Sequence, residues 1–207
     1  MEFKSWPSIP RMSKEQVTVT ERIDGSNSAV RIRPYDGNED DSMAVLHVTV
    51  NDEAYTVWAQ SRKRLLLPGK STDNFGFAGW VHDNASKLVE ILGPGDHYGE
   101  WWGSGVQRGY GLKEKRFSLF NAPRWYEVLH PTEARSEVSN LYIVPLLYRG
   151  RFYDLDVKSL RDDLAQNGSK AVSGFKSEGM VVYMREVNAS YKVLLENDDI
   201  HKWEVTQ

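Results

Sequence analysis

Apolar positions recur along the chain at two spacings, and each spacing predicts its own kind of element. Val17, Val19 and Thr20 mark a short strand that leads into a polar stretch at 21–27, and residues 29–33 alternate as the next strand. Residues 36–41 form a polar break. Residues 45–50 and 55–59 then flank Asn51-Asp52-Glu53, the pattern of a hairpin. Residues 61–71 are basic and punctuated by Gly and Pro, which predicts a loop. From 77 to 92 the spacing changes: Phe77, Trp80, Val81, Ala85, Leu88, Val89 and Leu92 fall on one face of a helix that Gly93-Pro94 ends. Apolar, aromatic or β-branched runs at 97–102, 117–120, 141–147, 180–183 and 191–195 predict further strands, and 157–166 predicts a second, shorter helix. Strands outnumber helices, and few are joined by helices long enough for parallel crossovers. The expected fold is α+β, with mainly antiparallel sheets and a few helices, in a single domain over 1–207.

Composition changes this picture mostly by exclusion. Seven Trp, ten Tyr and seven Phe supply core and stacking material. With 26 basic and 29 acidic residues the net charge is −3, so overall charge announces no nucleic-acid partner and any basic surface must be local. The absence of cysteine excludes disulfides, thiolate zinc sites and cysteine nucleophiles. No apolar run approaches the length of a membrane span, and the first ten residues hold no signal-peptide core. The expectation is a cytoplasmic protein with no membrane association and no obligate protein partner.

Four clusters carry candidate chemistry. In Glu21-Arg22-Ile23-Asp24-Gly25-Ser26-Asn27 a polar group with glycine follows a strand, which suits either a ligand-facing bend or an ordinary Asp-Gly hairpin turn. In Tyr98-Gly99-Glu100-Trp101-Trp102-Gly103-Ser104-Gly105-Val106-Gln107 a carboxylate at a strand end meets a glycine-rich loop; it suits a ribose hydroxyl or a cation, or is a solvated glutamate beside a core strand. At least one of Trp101 and Trp102 is read as core. Ser177-Glu178-Gly179-Met180-Val181-Val182-Tyr183 sets a carboxylate before a buried strand. Lys192 lies alone within an apolar strand, where a lysine ordinarily snorkels to the surface unless the strand faces a phosphate.

Taken singly these clusters are weak; their order is specific. Lys-x-Asp-Gly, Ser-Arg, Gly-Glu, Phe-Asp, Glu-Gly-x-Val and a late strand lysine, in that sequence, mark the covalent nucleotidyltransferases, the polynucleotide ligases and capping enzymes. The chain resembles that set from Glu21 to Lys192. Arg22-Ile23-Asp24-Gly25-Ser26-Asn27 matches the first motif except at its first residue, and Ser61-Arg62 resembles the second. Tyr98-Gly99-Glu100 with Gly103-Ser104-Gly105-Val106-Gln107 looks like the RNA ligase form of the third. Phe117-Ser118-Leu119-Phe120-Asn121 is similar to the aromatic segment that follows, with Asn121 for the usual Asp. Glu178-Gly179-Met180-Val181 and Lys192 complete the series. About fifteen residues follow Lys192, too few for the OB-fold of DNA ligases and capping enzymes, and Asn27 and the Gln107 segment also resemble RNA ligases.

The resemblance implies an ATP-dependent RNA ligase with an ATP-grasp-like nucleotidyltransferase fold. It implies ATP and Mg²⁺ or Mn²⁺ as cofactors, and RNA with 5′-phosphate and 3′-hydroxyl ends as partner. By matching position, Phe120 would stack on adenine, Glu21 would help define the adenine pocket, and Glu100 would hold the ribose hydroxyls. Arg62 would contact ribose or phosphate, with Asn27 nearby. Glu178 would orient a hydrated metal ion, with Glu100 a second candidate ligand, and Lys192 would neutralise charge on the α-phosphate. Core packing is the rival role for Phe120, and a solvated basic loop for Arg62. Arg62-Lys63-Arg64 and residues 113–116 are alternative grips on the RNA backbone. The five histidines show no metal-site spacing. Asp154, Asp156, Asp198 and Asp199 read as turn or helix-cap residues.

Two positions depart from the family pattern. Leu194 stands where many relatives have a second lysine, with Lys63, Lys176 and Lys202 as substitutes. Arg22 stands where the nucleotide-accepting lysine belongs. A guanidinium stays protonated and delocalised, so it can pair with a phosphate but cannot attack one. The adopted explanation is an inactivating substitution that blocks self-adenylylation in an otherwise intact pocket. A natural non-catalytic binder of ATP or RNA ends, a DNA ligase fragment, and a different nucleophile such as Lys14 or Lys63 are the rivals.

Overall fold

The computed structural model describes residues 2–9, 11–35, 37, 42–134 and 137–196. Asp198, Asp199, His201, Lys202 and the polar break at 36–41, Gly37 excepted, lie outside the described residues. In chain order the strands are β1 (Gln16–Arg22), β2 (Ser26–Pro34), β3 (Leu46–Val50), β4 (Glu53–Ser61) and β5 (Leu65–Leu66). Helix α1 (Phe77–Leu92) precedes β6 (Gly95–Gly103) and β7 (Lys115–Leu119). The short α2 (Ala122–Trp125), β8 (Leu141–Ile143), β9 (Leu146–Arg151), α3 (Val157–Asn167), β10 (Gly179–Met184) and β11 (Ala189–Leu194) follow. All strand pairs are antiparallel except β7 with β8. The α+β, mainly antiparallel expectation is met.

The chain divides into two compact units. The first comprises the described residues of Met1–Arg22 and Pro145–Gln207, around a sheet of order β11-β10-β1-β9. Alternation along β1 sends Val17, Val19 and Glu21 to one face and Thr18, Thr20 and Arg22 to the other. Val19, Met180 and Val182 pack with Leu164 of α3 into a small core that Leu160, Val193 and Leu195 extend. The amphipathic α3 therefore covers the Val19 face. Asp156 caps that helix by accepting from Ser159 N at 2.9 Å, the role expected for it.

The second unit, Ile23–Val144, holds the sheet β3-β4-β2-β6-β7-β8, with β5 on β4. The predicted hairpin forms: β3 and β4 pair around Asn51 and Asp52, both at positive φ (51° and 64°), as its tight turn demands. Helix α1 matches its predicted bounds. Its first turn is capped from outside by Asp73, which accepts from Ala78 N (2.7 Å) and Gly79 N (3.0 Å). Phe77 and Trp80 of α1 meet Trp101 and Phe117 with ring centroids 5.0–5.6 Å apart across these pairs, which fixes the helix on that face of the sheet. Trp102, on the other face, is fully buried too, so both tryptophans are core.

Three expectations change in detail. The run at 141–147 is two strands in two sheets, β8 and β9, because Pro145 has no N–H with which to continue a ladder. The 61–71 loop contains β5, anchored by the buried Leu66. Asp24-Gly25 closes no hairpin, since β1 and β2 belong to different sheets.

Candidate active site

In the second unit, the sheet face opposite α1 carries Asn27, Arg62, Glu100 and Phe120. Asn27 of β2 pairs with Glu100 of β6 in the ladder, and Glu100 with Ser118 of β7. Asn27 Nδ2 donates to Glu100 Oε2 at 2.7 Å. Its carbonyl oxygen accepts from Arg62 Nε at 2.9 Å and also from Arg62 Nη2. The three side chains form one bonded row, with Glu100 buried and Arg62 exposed at its end. The bend before it depends on a close approach: a Cβ on Gly25 would stand 2.6 Å from the Trp101 carbonyl oxygen and 2.7 Å from Trp102 Cβ. Tyr110 fixes the same bend by accepting the Asp24 N–H at 2.9 Å.

Phe120 lies just past β7 and donates its N–H to Tyr98 O at 2.9 Å. The two rings are 41% and 54% exposed, so core packing, the rival role for Phe120, is not what the fold gives it. Tyr98 is two residues from Glu100 and on the same face, roughly 7 Å along the strand. The period of two in Tyr98-Gly99-Glu100 is the sequence signal that places it there.

The first unit holds Glu21, Arg22, Glu178 and Lys192. Arg22 pairs with Gly179 in the β1–β10 ladder, and its guanidinium forms an ion pair with Glu178. Thr20, Val181 and Lys192 form the neighbouring row across β1, β10 and β11. Lys192 and Arg22 therefore share the face opposite α3, with Lys192 exposed. Leu194 stands in Arg22's own row, opposite Gly179.

Glu21 points to the other face of β1, where it is buried. Its Oε2 accepts from Lys170 N (2.7 Å) and Ala171 N (3.2 Å), while Oε1 is buried with no hydrogen bond of good geometry. These backbone partners leave no sequence signal. Burial pushes the Glu21 pKa up, and the Ser169 and Ser177 hydroxyls and the two backbone N–H groups only partly offset it. An acid with a raised folded pKa favours folding most below its unfolded pKa and loses that contribution as pH rises through the folded value. Glu21→Gln should therefore melt about 2–4 °C above the parent at pH 8 and lose the advantage at pH 4, as read by calorimetry. An equal gain at both pH values would contradict the assignment.

Several other basic residues are committed to the fold. Arg64 donates to Thr72 O and Asp73 O, and so braces its loop. Arg116 bonds Glu114 and lies over the Trp102 and Tyr142 rings, at 5.6 and 4.8 Å, which removes it from the proposed RNA grip. Lys176, by contrast, is exposed, with Glu196 3.9 Å away, and is not held by the fold. His97 is buried and bonded to Gly93 O, its pKa lowered by burial. Among the described residues, no three His, Cys, Asp or Glu side chains gather as metal ligands, and no helix is long and apolar enough to cross a membrane.

A family model described as RNA ligase matches residues 15–194. A search of curated proteins gives no significant match. Among solved structures, a mutant Naegleria gruberi RNA ligase with ATP and manganese matches with a TM-score of 0.56 at 17% identity, over 92% of this chain and 53% of that one. A second mutant of that ligase, also with ATP and manganese, gives 0.57 at 16% identity over the same shares. The same ligase with pyrophosphate gives 0.53 at 16% identity, over 88% and 50%. The chain thus spans about half the length of these ligases, with which it shares a fold.

Proposed function

Because the chain belongs to the RNA ligase family, we propose that it is the nucleotide-binding portion of an ATP-dependent RNA ligase whose self-adenylylation is blocked by Arg22. The observation that carries this reading is the bonded row Arg62–Asn27–Glu100 one step from the exposed Phe120 and Tyr98 rings. Aromatic faces open to solvent suit a nucleobase, and a carboxylate held roughly 7 Å away suits the hydroxyls of its ribose. Arg62 adds a cation for phosphate or ribose. For the first unit, the family resemblance alone carries the proposed roles of Glu21 at the adenine and of Lys192 at the α-phosphate. The nucleotide is ATP, with Mg²⁺ or Mn²⁺ as its counter-ion, and the proposed partner is RNA bearing 5′-phosphate and 3′-hydroxyl ends.

In the family reaction a lysine amine attacks the α-phosphorus: a P–N bond forms, the P–O bond to pyrophosphate breaks, and the amine loses a proton. The AMP then passes to a 5′-phosphate, and a 3′-hydroxyl displaces it. Arg22 has no free amine electron pair at any physiological pH, so the first step stops here. A second reading, a natural nucleotide or RNA-end binder, is favoured by one observation. Arg22 is accommodated by an ion pair with Glu178 rather than left unpaired.

Calorimetric titration tests the site. ATP should bind the parent, and Phe120→Ala or Glu100→Ala should each weaken binding about tenfold or more, the loss of one stacking or charge-assisted contact. Parent-like affinity in both variants would remove the nucleotide assignment from this face.

A further inference from the structure

The Glu178 carboxylate, implied above as a metal-orienting group, does not fit that task in this chain. Its ladder neighbour places a guanidinium against it: Arg22 is opposite Gly179, and its Nη1 pairs with Glu178 Oε1. The other carboxylate oxygen, Oε2, is buried with no hydrogen-bond partner among the described residues, so while Arg22 is in place the guanidinium holds the engaged side of the carboxylate. Among the described residues, Glu178 belongs to no group of three or more acidic, histidine or cysteine side chains that could hold an ion. A divalent ion at Glu178 would have to displace a guanidinium charge that is held there by the register of two paired strands.

We propose that Arg22 is the resident cation of this site. It stands in for the metal ion beside Glu178 and turns its remaining N–H donors toward the phosphate of a bound nucleotide, so that the α-phosphate is held without a divalent metal. A guanidinium can do this because it carries five donors, of which the carboxylate engages only part. Lys192 lies one row along and two strands over, roughly 10 Å across the ladder, and adds a second fixed positive charge on the same face. The charge that a ligase supplies with an ion would here be built into β1. This inference rests on the nucleotide-binding reading above and concerns the phosphate charge met by the first unit's own sheet face.

AMP is the suitable probe, because it binds divalent ions weakly on its own, so metal dependence reports the protein. AMP is titrated into the parent and into Arg22→Met, each in EDTA and in manganese, with ATP titrated alongside and folding checked by circular dichroism. The parent should bind AMP equally in both media, within about threefold, and Arg22→Met should lose about tenfold or more in EDTA. Manganese should restore the variant, since Glu178 is then free to orient an ion. Parent binding that collapses in EDTA overturns the inference while leaving the nucleotide site intact. So does an Arg22→Met protein that binds normally in EDTA, or one that manganese does not restore. If Arg22→Met fails to fold, the parent's two titrations decide alone. Failure of the parent to bind either nucleotide in any medium overturns the functional reading, and the inference with it.

Discussion

Arg22→Lys should turn a chain that takes up no label from α-labelled ATP into one that becomes adenylylated at residue 22, up to stoichiometric labelling. Lysine is shorter than arginine, and its amine can lose a proton when cations and a phosphate-binding surface lower its pKa. The exchange also loosens the ion pair that occupies Glu178. On the proposed reading, Lys192, on the same sheet face, would steady the charge that builds on the α-phosphate as pyrophosphate departs. The readout is a denaturing gel, with the adduct located by peptide mass. Label on the unaltered chain at Lys14 or Lys63 would identify a different nucleophile. An Arg22→Lys protein that binds ATP yet takes no label would show that more than the lysine has been lost. Leu194, in Arg22's row, would then be the residue to change.

Gly179→Ala should be the most damaging small substitution in the chain. Gly179 sits at φ +144°, a backbone conformation that side chains avoid. An added Cβ would lie 2.1 Å from Val193 O and 2.9 Å from Leu194 Cα, so the β10–β11 ladder would have to open at the end that positions Glu178. The expected cost is about 3 kcal/mol or more, a melting temperature lower by about 6–12 °C for a chain of this size. Gly174→Ala is the control: its φ is +80°, but nothing lies within 4 Å of its Cβ position, so it should lose only the smaller conformational cost. Equal melting temperatures for the two variants would contradict the steric argument.

Much of this architecture was legible in the sequence because the information was local. The helix at 77–92 declared itself through its apolar face, and β1, β6, β10 and β11 through short runs of apolar, aromatic or β-branched residues. Motif order located the candidate residues before any contact was known. What escaped was non-local. The Val144-Pro145 break lies inside an apolar run, and nothing in the run says that its halves serve different sheets. Arg116 reads as a free basic residue until Trp102 and Tyr142, distant in sequence on either side, close over it. The Arg22–Glu178 ion pair follows from the β1–β10 register, which no local pattern specifies. Glu21 is held by main-chain N–H groups, which every residue but proline possesses and no composition reveals.

The chain leaves the first unit after Arg22 and returns at Pro145, and the Glu21 N–H donates to the Pro145 carbonyl at 2.9 Å, so departure and return are hydrogen-bonded side by side. This gives the two units different assembly histories. Every strand of Ile23–Val144 finds its partners inside one continuous segment, so that unit can close while later residues are still being synthesised. β1 precedes that unit and pairs only after it: its neighbours β9 and β10 do not exist until the whole intervening unit has been translated. A long loop closure of this kind is what slows folding, and it leaves Val17 and Val19 without their sheet in the interval. The strand that carries Arg22 therefore waits on residues far along the chain, and the proposed site cannot form before β9 and β10 have been made.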